Sequence, residues 1–296
     1  MCEGGSGPDE GACRPAWAAE AVVGPTGDTR HLGTAVAYDV DMRVGVVVLA
    51  GGTVDEEFAR VLGTDRKAEA RINDEMSLEW VRRAAEQAGY ECVVVGRAGS
   101  APGVIAEGET ATDNMIRGAD ALPFVDLYLM IPGDSPFVTA DDFRNFAEFC
   151  EQKRPAGRPF CALGVCPAEA FVQEFPDAPA TPTRTLEGPF LAGALYGCNR
   201  LGLDRSQQII RDARRNRKQI LRLALRLGLP TLLSVALGRV SLPNIERKLG
   251  GLIDGEVAIW RGASARSVMD FDDAAEWASV QRHAARLLPT LGDEPS

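Results

Sequence analysis

Val46–Ala68 reads VVVLAGGTVDEEFARVLGTDRKA. Its first four residues are apolar without alternation, the pattern of a strand covered on both faces inside a parallel sheet. After Ala50 come two glycines, Gly51 and Gly52. Backbone amides without a Cβ beside them can approach an anion closely, and a later lysine, Lys67, can neutralise phosphate charge. The same residues also suit an ordinary strand and tight turn. The stretch contains neither GxxxxGK[ST] nor GxGxxG, so it is not one of the common phosphate-binding loops.

Outward from this strand, the chain alternates. DEMSLEWVRRAAEQAG reads as a helix, with Asp74 or Ser77 as its cap, Val81, Ala84, Ala85 and Ala88 as its apolar stripe and Gly89 as its stop. ECVVVG is a second strand, TATDNMIRGADAL a second helix, and VDLYLMIPGDSP a third strand ending in Gly133–Asp134. TADDFRNFAEFC is a helix capped by Thr139, and PFCALGV is a fourth strand. Strands alternating with helices predict an α/β fold, a three-layer α/β/α arrangement on a mostly parallel, Rossmann-like sheet. After about residue 176 the pattern loosens. GPFLAGALYGCN reads as a strand, EVAIWRG and SVMDFD as short strands, and DAAEWASVQRHAARLL as a terminal helix. Gln207–Gly228 reads as an amphipathic helix carrying Arg211, Arg215, Lys218, Arg222 and Arg226 on one face. It lies in a basic helical insertion at about 203–250. No internal repeat is visible.

Composition sets bounds on function. The 296 residues carry a formal charge of -10, which argues against a general nucleic-acid-binding face. Residues 1–41 have seven acids against two arginines, a net -5, and are rich in Gly, Ala and Pro. They are expected to form a disordered extension, with Met42 as the expected natural start, 42–286 as the folded domain and 287–296 as a tail. The most apolar stretch, Ile220–Val240, is broken by Arg222, Arg226, Pro230 and Arg239, so no transmembrane segment is expected. Secretory-signal features are missing from the N-terminus. The seven cysteines are irregularly spaced without a CxxC pair, which predicts reduced thiols and a cytoplasmic location. The basic helix suits either a solvated face or contact with an anionic acceptor or membrane surface.

Two further stretches carry chemistry. In LMIPGDSPFVT (Leu129–Thr139), Asp134 follows a buried strand, at the sheet edge where open α/β folds bind ligands. It can be a turn residue or an oxygen ligand for a divalent metal. In SVMDFDDAAEW (Ser267–Trp277), Asp270, Asp272 and Asp273 precede a helix and suit either capping or a second metal ligand.

Strand–LAGG–loop–Lys, then a strand ending GDSP, then a late DFD before a helix: this order resembles the MobA-like nucleotidyltransferases, the molybdenum cofactor guanylyltransferase-like branch of the GT-A-type fold. The resemblance runs from about Val44 to Arg282. GETATDNMIRGADAL resembles the segment whose helix start borders the nucleotide in that family. The resemblance implies nucleotide contacts from Leu49, Ala50, Gly51, Gly52, Lys67 and Asn114. It implies catalytic roles for Lys67 and Asp134, and Mg²⁺ (or Mn²⁺) held by Asp134 with Asp270 or Asp272. The implied reaction moves an NMP from an NTP to a phosphorylated or other anionic small-molecule acceptor. This chain departs from the family pattern in its long Gly52–Lys67 spacing, in Glu56 at the place of the loop arginine, with Arg60 or Arg66 as substitutes, and in Ala194 at the place of an asparagine. A GT-A-type glycosyltransferase using a nucleotide sugar, and a catalytically impaired nucleotide-binding protein, are the alternatives.

Overall fold

The computed structural model describes residues 42–215 and 240–288. The expected N-terminal extension, most of the basic stripe and residues 289–296 of the expected C-terminal tail lie outside these residues, whereas Leu287 still belongs to the terminal helix. Among the described residues, eight strands form one sheet in the order β10-β7-β9-β6-β1-β4-β5, with β8 paired to β9. The strands are β1 (Val44–Ala50), β4 (Glu91–Gly96), β5 (Ile105–Ala106), β6 (Leu127–Pro132), β7 (Phe160–Pro167), β8 (Thr183–Thr185), β9 (Gly188–Cys198) and β10 (Glu256–Trp260). A separate two-residue ladder joins β2 (Arg71–Ile72) to β3 (Glu75–Met76). β1 pairs in parallel with both β4 and β6, and β10 with β7, whereas β9 runs antiparallel to β6 and β7.

Helices cover both faces, so the three-layer α/β/α expectation holds. On one face α2 (Ser77–Gln87) and α4 (Ala140–Lys153) pack on Val46 and Val48 through Val81, Ala84, Ala85, Phe143 and Phe146. On the other, α3 (Ala111–Ala121) packs Ala119 against Val47, while α6 (Arg200–Arg215) and α7 (Leu242–Ile253) cover β7, β9 and β10. Val46, Val47 and Val48 are fully buried, as the unbroken apolar run predicts. A third apolar cluster at the carboxyl edge joins α1 (Glu56–Leu62), α5 (Ala168–Glu174) and α8 (Ala274–Leu287) through Phe58, Phe171, Phe175, Phe271 and Trp277.

Thr139 caps α4 in a full capping box with Asp142, as expected. Four expectations need correction. Neither Asp74 nor Ser77 caps α2. Its cap is Met76, which makes no side-chain cap bond, because Asn73 and Asp74 adopt positive φ in the β2–β3 turn and Ser77 is already helical and buried. Asp55–Leu62 contains a helix instead of loop alone. Asp55 accepts from the Phe58 amide, and Gly63 ends the helix in the left-handed region. SVMDFD is not a strand: Arg266–Val268 is a 3-10 turn and the rest is irregular. The basic helix begins at Arg200, not Gln207. Arg211 is exposed on it, and Lys218–Arg226 lies outside the described residues.

Candidate active site

Parallel pairing aligns the carboxyl ends of three strands. Ala50 sits opposite Gly96, and Leu49 opposite Pro132. The Gly133 amide donates to the Leu49 carbonyl at 2.9 Å, which carries the next residue, Asp134, to the edge beside the glycine turn. A Cβ on Gly133 would come within 2.9 Å of the Ala68 Cβ. Glycine at 133 therefore lets the 3-10 turn Lys67–Glu69 dock directly on the strand end, with Lys67 next to Asp134.

Lys67 Nζ forms an ion pair with Asp134 and another with Asp272 Oδ1 at 2.6 Å. The three residues are far apart in sequence. Asp134 is 5% exposed, and Lys67 is its ion-pair partner there. Burial pulls the Lys67 ammonium towards deprotonation, but Asp134 and Asp272 together outweigh it and hold the lysine protonated well above its ordinary value. Asp272 is fixed from behind: its amide donates to Glu276 Oε2 at 2.5 Å, and Asp273 caps α8 through the Ala275 and Glu276 amides. Between the two site aspartates, Phe271 is fully buried against Trp277 with ring centroids 4.8 Å apart. Burying such a ring contributes about 2–3 kcal/mol, and it anchors the aspartates on either side to the core. Asp270 has a distinct environment. Burial first, then the charges of Asp134 and Asp272, raise its carboxyl to about 7.

The second part of the site is a cleft of about 320 Å³. Leu49, Gly51, Gly52, Thr53 and Arg66 line one side, and Glu107–Ala111 with Asn114 the other. Asn114 is 6% exposed and its Oδ1 accepts from the Gly108 amide at 2.6 Å. Leu49, Gly51, Gly52 and Asn114 thus converge, whereas Ala50 is buried beneath the turn and does not line the cleft. Asp55, Glu56 and Glu57 are exposed on α1 and do not line it either. Arg66 does line it, and sequence reasoning had Arg66 only as one of two substitutes for a missing arginine. Glu107 was not foreseen at all. Its only sequence signal is its place directly before the Gly108–Leu122 segment.

Three carboxylates around one ammonium leave excess negative charge and an oxygen-only donor set, which is the chemistry of a hard divalent cation site. Among the described residues, no group of three or more His, Cys, Asp or Glu side chains is already gathered into a coordination cluster. The five described cysteines are all free. No described helix is long and apolar enough to cross a membrane.

No family model matches the chain, and no curated protein matches it significantly. Solved structures do match. One described as a hypothetical transferase from Thermus thermophilus is 27% identical with a TM-score of 0.62, over 79% of this chain and 99% of its own. Another, CMP:2-keto-3-deoxy-manno-octonic acid synthetase complexed with CTP, is 14% identical with a TM-score of 0.52, over 82% of this chain and 99% of its own. The fold is one shared with these two solved structures.

Proposed function

We propose that the chain is a metal-dependent nucleotidyltransferase of the MobA-like kind, transferring an NMP from an NTP to a phosphorylated or otherwise anionic small molecule. The observation that carries this reading is the double ion pair of Lys67 with Asp134 and Asp272 beside the Gly51–Gly52 cleft. Nucleotidyl transfer requires two things from a protein, alignment of the reacting groups and compensation of phosphate charge. Both are supplied by residues of these types.

In this reading the nucleoside lies in the cleft between Leu49–Gly52 and Asn114. The Gly51 and Gly52 amides face the phosphates. Lys67 exchanges one carboxylate partner for phosphate oxygens, so its positive charge follows the charge that builds on the leaving group. An acceptor oxyanion attacks the α-phosphorus, the bond from the α-phosphorus to the bridging oxygen breaks, and pyrophosphate leaves with that electron pair. A phosphate acceptor is already deprotonated at neutral pH, so no general base is required. That agrees with a chain holding two histidines. Asp134, Asp270 and Asp272 are the residues that would hold Mg²⁺ (or Mn²⁺), which when bound supplies fixed positive charge to phosphate oxygens. No nucleic-acid partner is proposed, and the location consistent with the reading is the cytoplasm.

The test is pyrophosphate release from each of the four NTPs across a panel of phosphorylated sugars and alcohols, with Mg²⁺ or with EDTA. Release that needs one NTP, one acceptor and the metal is the expected result. Release of inorganic phosphate alone, or transfer only from nucleotide sugars, contradicts the reading.

A further inference from the structure

The turn meant for an anion already holds one. Glu107 Oε2 accepts from the Gly52 amide at 3.1 Å, and Glu107 Oε1 accepts from the Arg66 guanidinium at 2.5 Å. A backbone amide after a buried strand and a cationic fork are the donors that a phosphate oxygen would use, and a carboxylate satisfies the same donors. Both partners line the cleft together with Glu107. The fit is close: a Cβ on Gly51 would come within 2.6 Å of Glu107 Oε2.

The Glu107 backbone is pinned while its side chain has room to move. Its amide donates to the Gly96 carbonyl at 2.8 Å, and the preceding Ala106 carbonyl accepts from Arg117 at 3.1 Å. The Glu107 side chain is 24% exposed, and the Arg66 side chain 13%. A carboxylate on a three-torsion arm can therefore leave the turn without disturbing the strand that carries it. Left in place, it would face the like charge of a nucleotide's phosphates at short range.

We propose that Glu107 is a charge gate on this cleft: it occupies the Gly52 amide and Arg66 while the cleft is empty, and a phosphate-bearing ligand must displace it to bind. The inference rests on the nucleotide reading of the cleft. It makes Glu107 a determinant of affinity that opposes binding, and it makes Arg66 the cation released to the ligand. The gate gives Arg66 Nη1 and the Gly52 amide a partner in the empty protein, while the buried Arg66 Nε has none, and it sets a threshold that weak anions do not cross.

The experiment is calorimetric titration of each of the four NTPs, with Mg²⁺, into wild type, Glu107→Gln, Arg66→Gln and the double variant. Glutamine keeps an oxygen for the Gly52 amide but no charge for Arg66. The expected result is about tenfold tighter binding by Glu107→Gln, and loss of that gain when Arg66→Gln is added. Equal or weaker binding by Glu107→Gln, with wild type still binding an NTP, overturns the gate and leaves the nucleotide reading standing. Binding by Glu107→Gln alone supports both. Absence of binding by all four proteins overturns both. Thermal unfolding of each variant without ligand accompanies the titrations, and a destabilised Glu107→Gln with weaker binding counts as a structural role and against the gate.

Discussion

The two ends of the site handle negative charge in opposite ways. At the glycine turn, one carboxylate, Glu107, is matched by one guanidinium and one amide. At the other end, Asp134 and Asp272 share the Lys67 ammonium, and Asp270 beside them is raised to about 7 by burial first and then by the charges of Asp134 and Asp272. The first end is balanced without a ligand. The second is short of positive charge, so it is the end where an added cation gains the most, and the end where removing a charge has the largest consequence.

The strongest way to break this contrast is at Asp134. Asp134→Asn is expected to lower kcat/KM for nucleotidyl transfer by about a thousandfold, measured as pyrophosphate release, since in the proposed function it removes a buried carboxylate that would hold the divalent cation and pairs with Lys67. Lys67→Met is expected to lower it by about a hundredfold, with the loss in kcat more than in KM. If Lys67 serves only to neutralise Asp134 in the resting protein, kcat will not move, and the contrast fails.

Asp270 sharpens the comparison through stability. Its carboxyl binds a proton more tightly folded than unfolded, so wild type loses stability as pH rises from about 4 towards about 7. Asp270→Asn removes that loss. In EDTA at pH 8 it is expected to stabilise the protein by about 2 kcal/mol, and the gain should vanish near pH 4. A gain that is the same at both pH values would contradict the assigned cause. The smallest effect is a control at the N-cap of α4, outside the cleft lining. Thr139→Ala should cost about 1 kcal/mol in urea unfolding through loss of the capping box, with kcat/KM unchanged.

The same contrast separates what was legible in the sequence from what was not. Unbroken apolar runs at Val46–Leu49 and Leu127–Ile131 identify buried strands because every face is covered, and Thr139 three residues before Asp142 identifies its own cap. The glycine turn follows the first run directly, so Leu49, Gly51 and Gly52 were locatable without a fold. α1 was missed because it is only seven residues long, although Asp55 and Gly63 bracket it. The two-residue strands β2 and β3 show no periodicity to read. SVMDFD looks like a strand because Val268, Met269 and Phe271 are apolar. They are buried by packing at the carboxyl edge instead, which leaves Asp270 and Asp272 turned to the site. The antiparallel direction of β9 is a matter of topology, invisible to a pattern that reads the same in either direction. Glu107 was hidden for a related reason: its partners Gly52 and Arg66 lie 55 and 41 positions away.

The most direct test of the central claim is thermal unfolding of wild type and Asp134→Ala with each of the four NTPs, with and without Mg²⁺. A ligand that binds only the folded state raises its apparent stability by mass action. The account predicts that one NTP stabilises wild type only when Mg²⁺ is present, and that Asp134→Ala loses this response. If no NTP stabilises wild type under any condition, or if Asp134→Ala responds as wild type does, the carboxylate–lysine cluster is not a nucleotide–metal site and the proposed function is wrong.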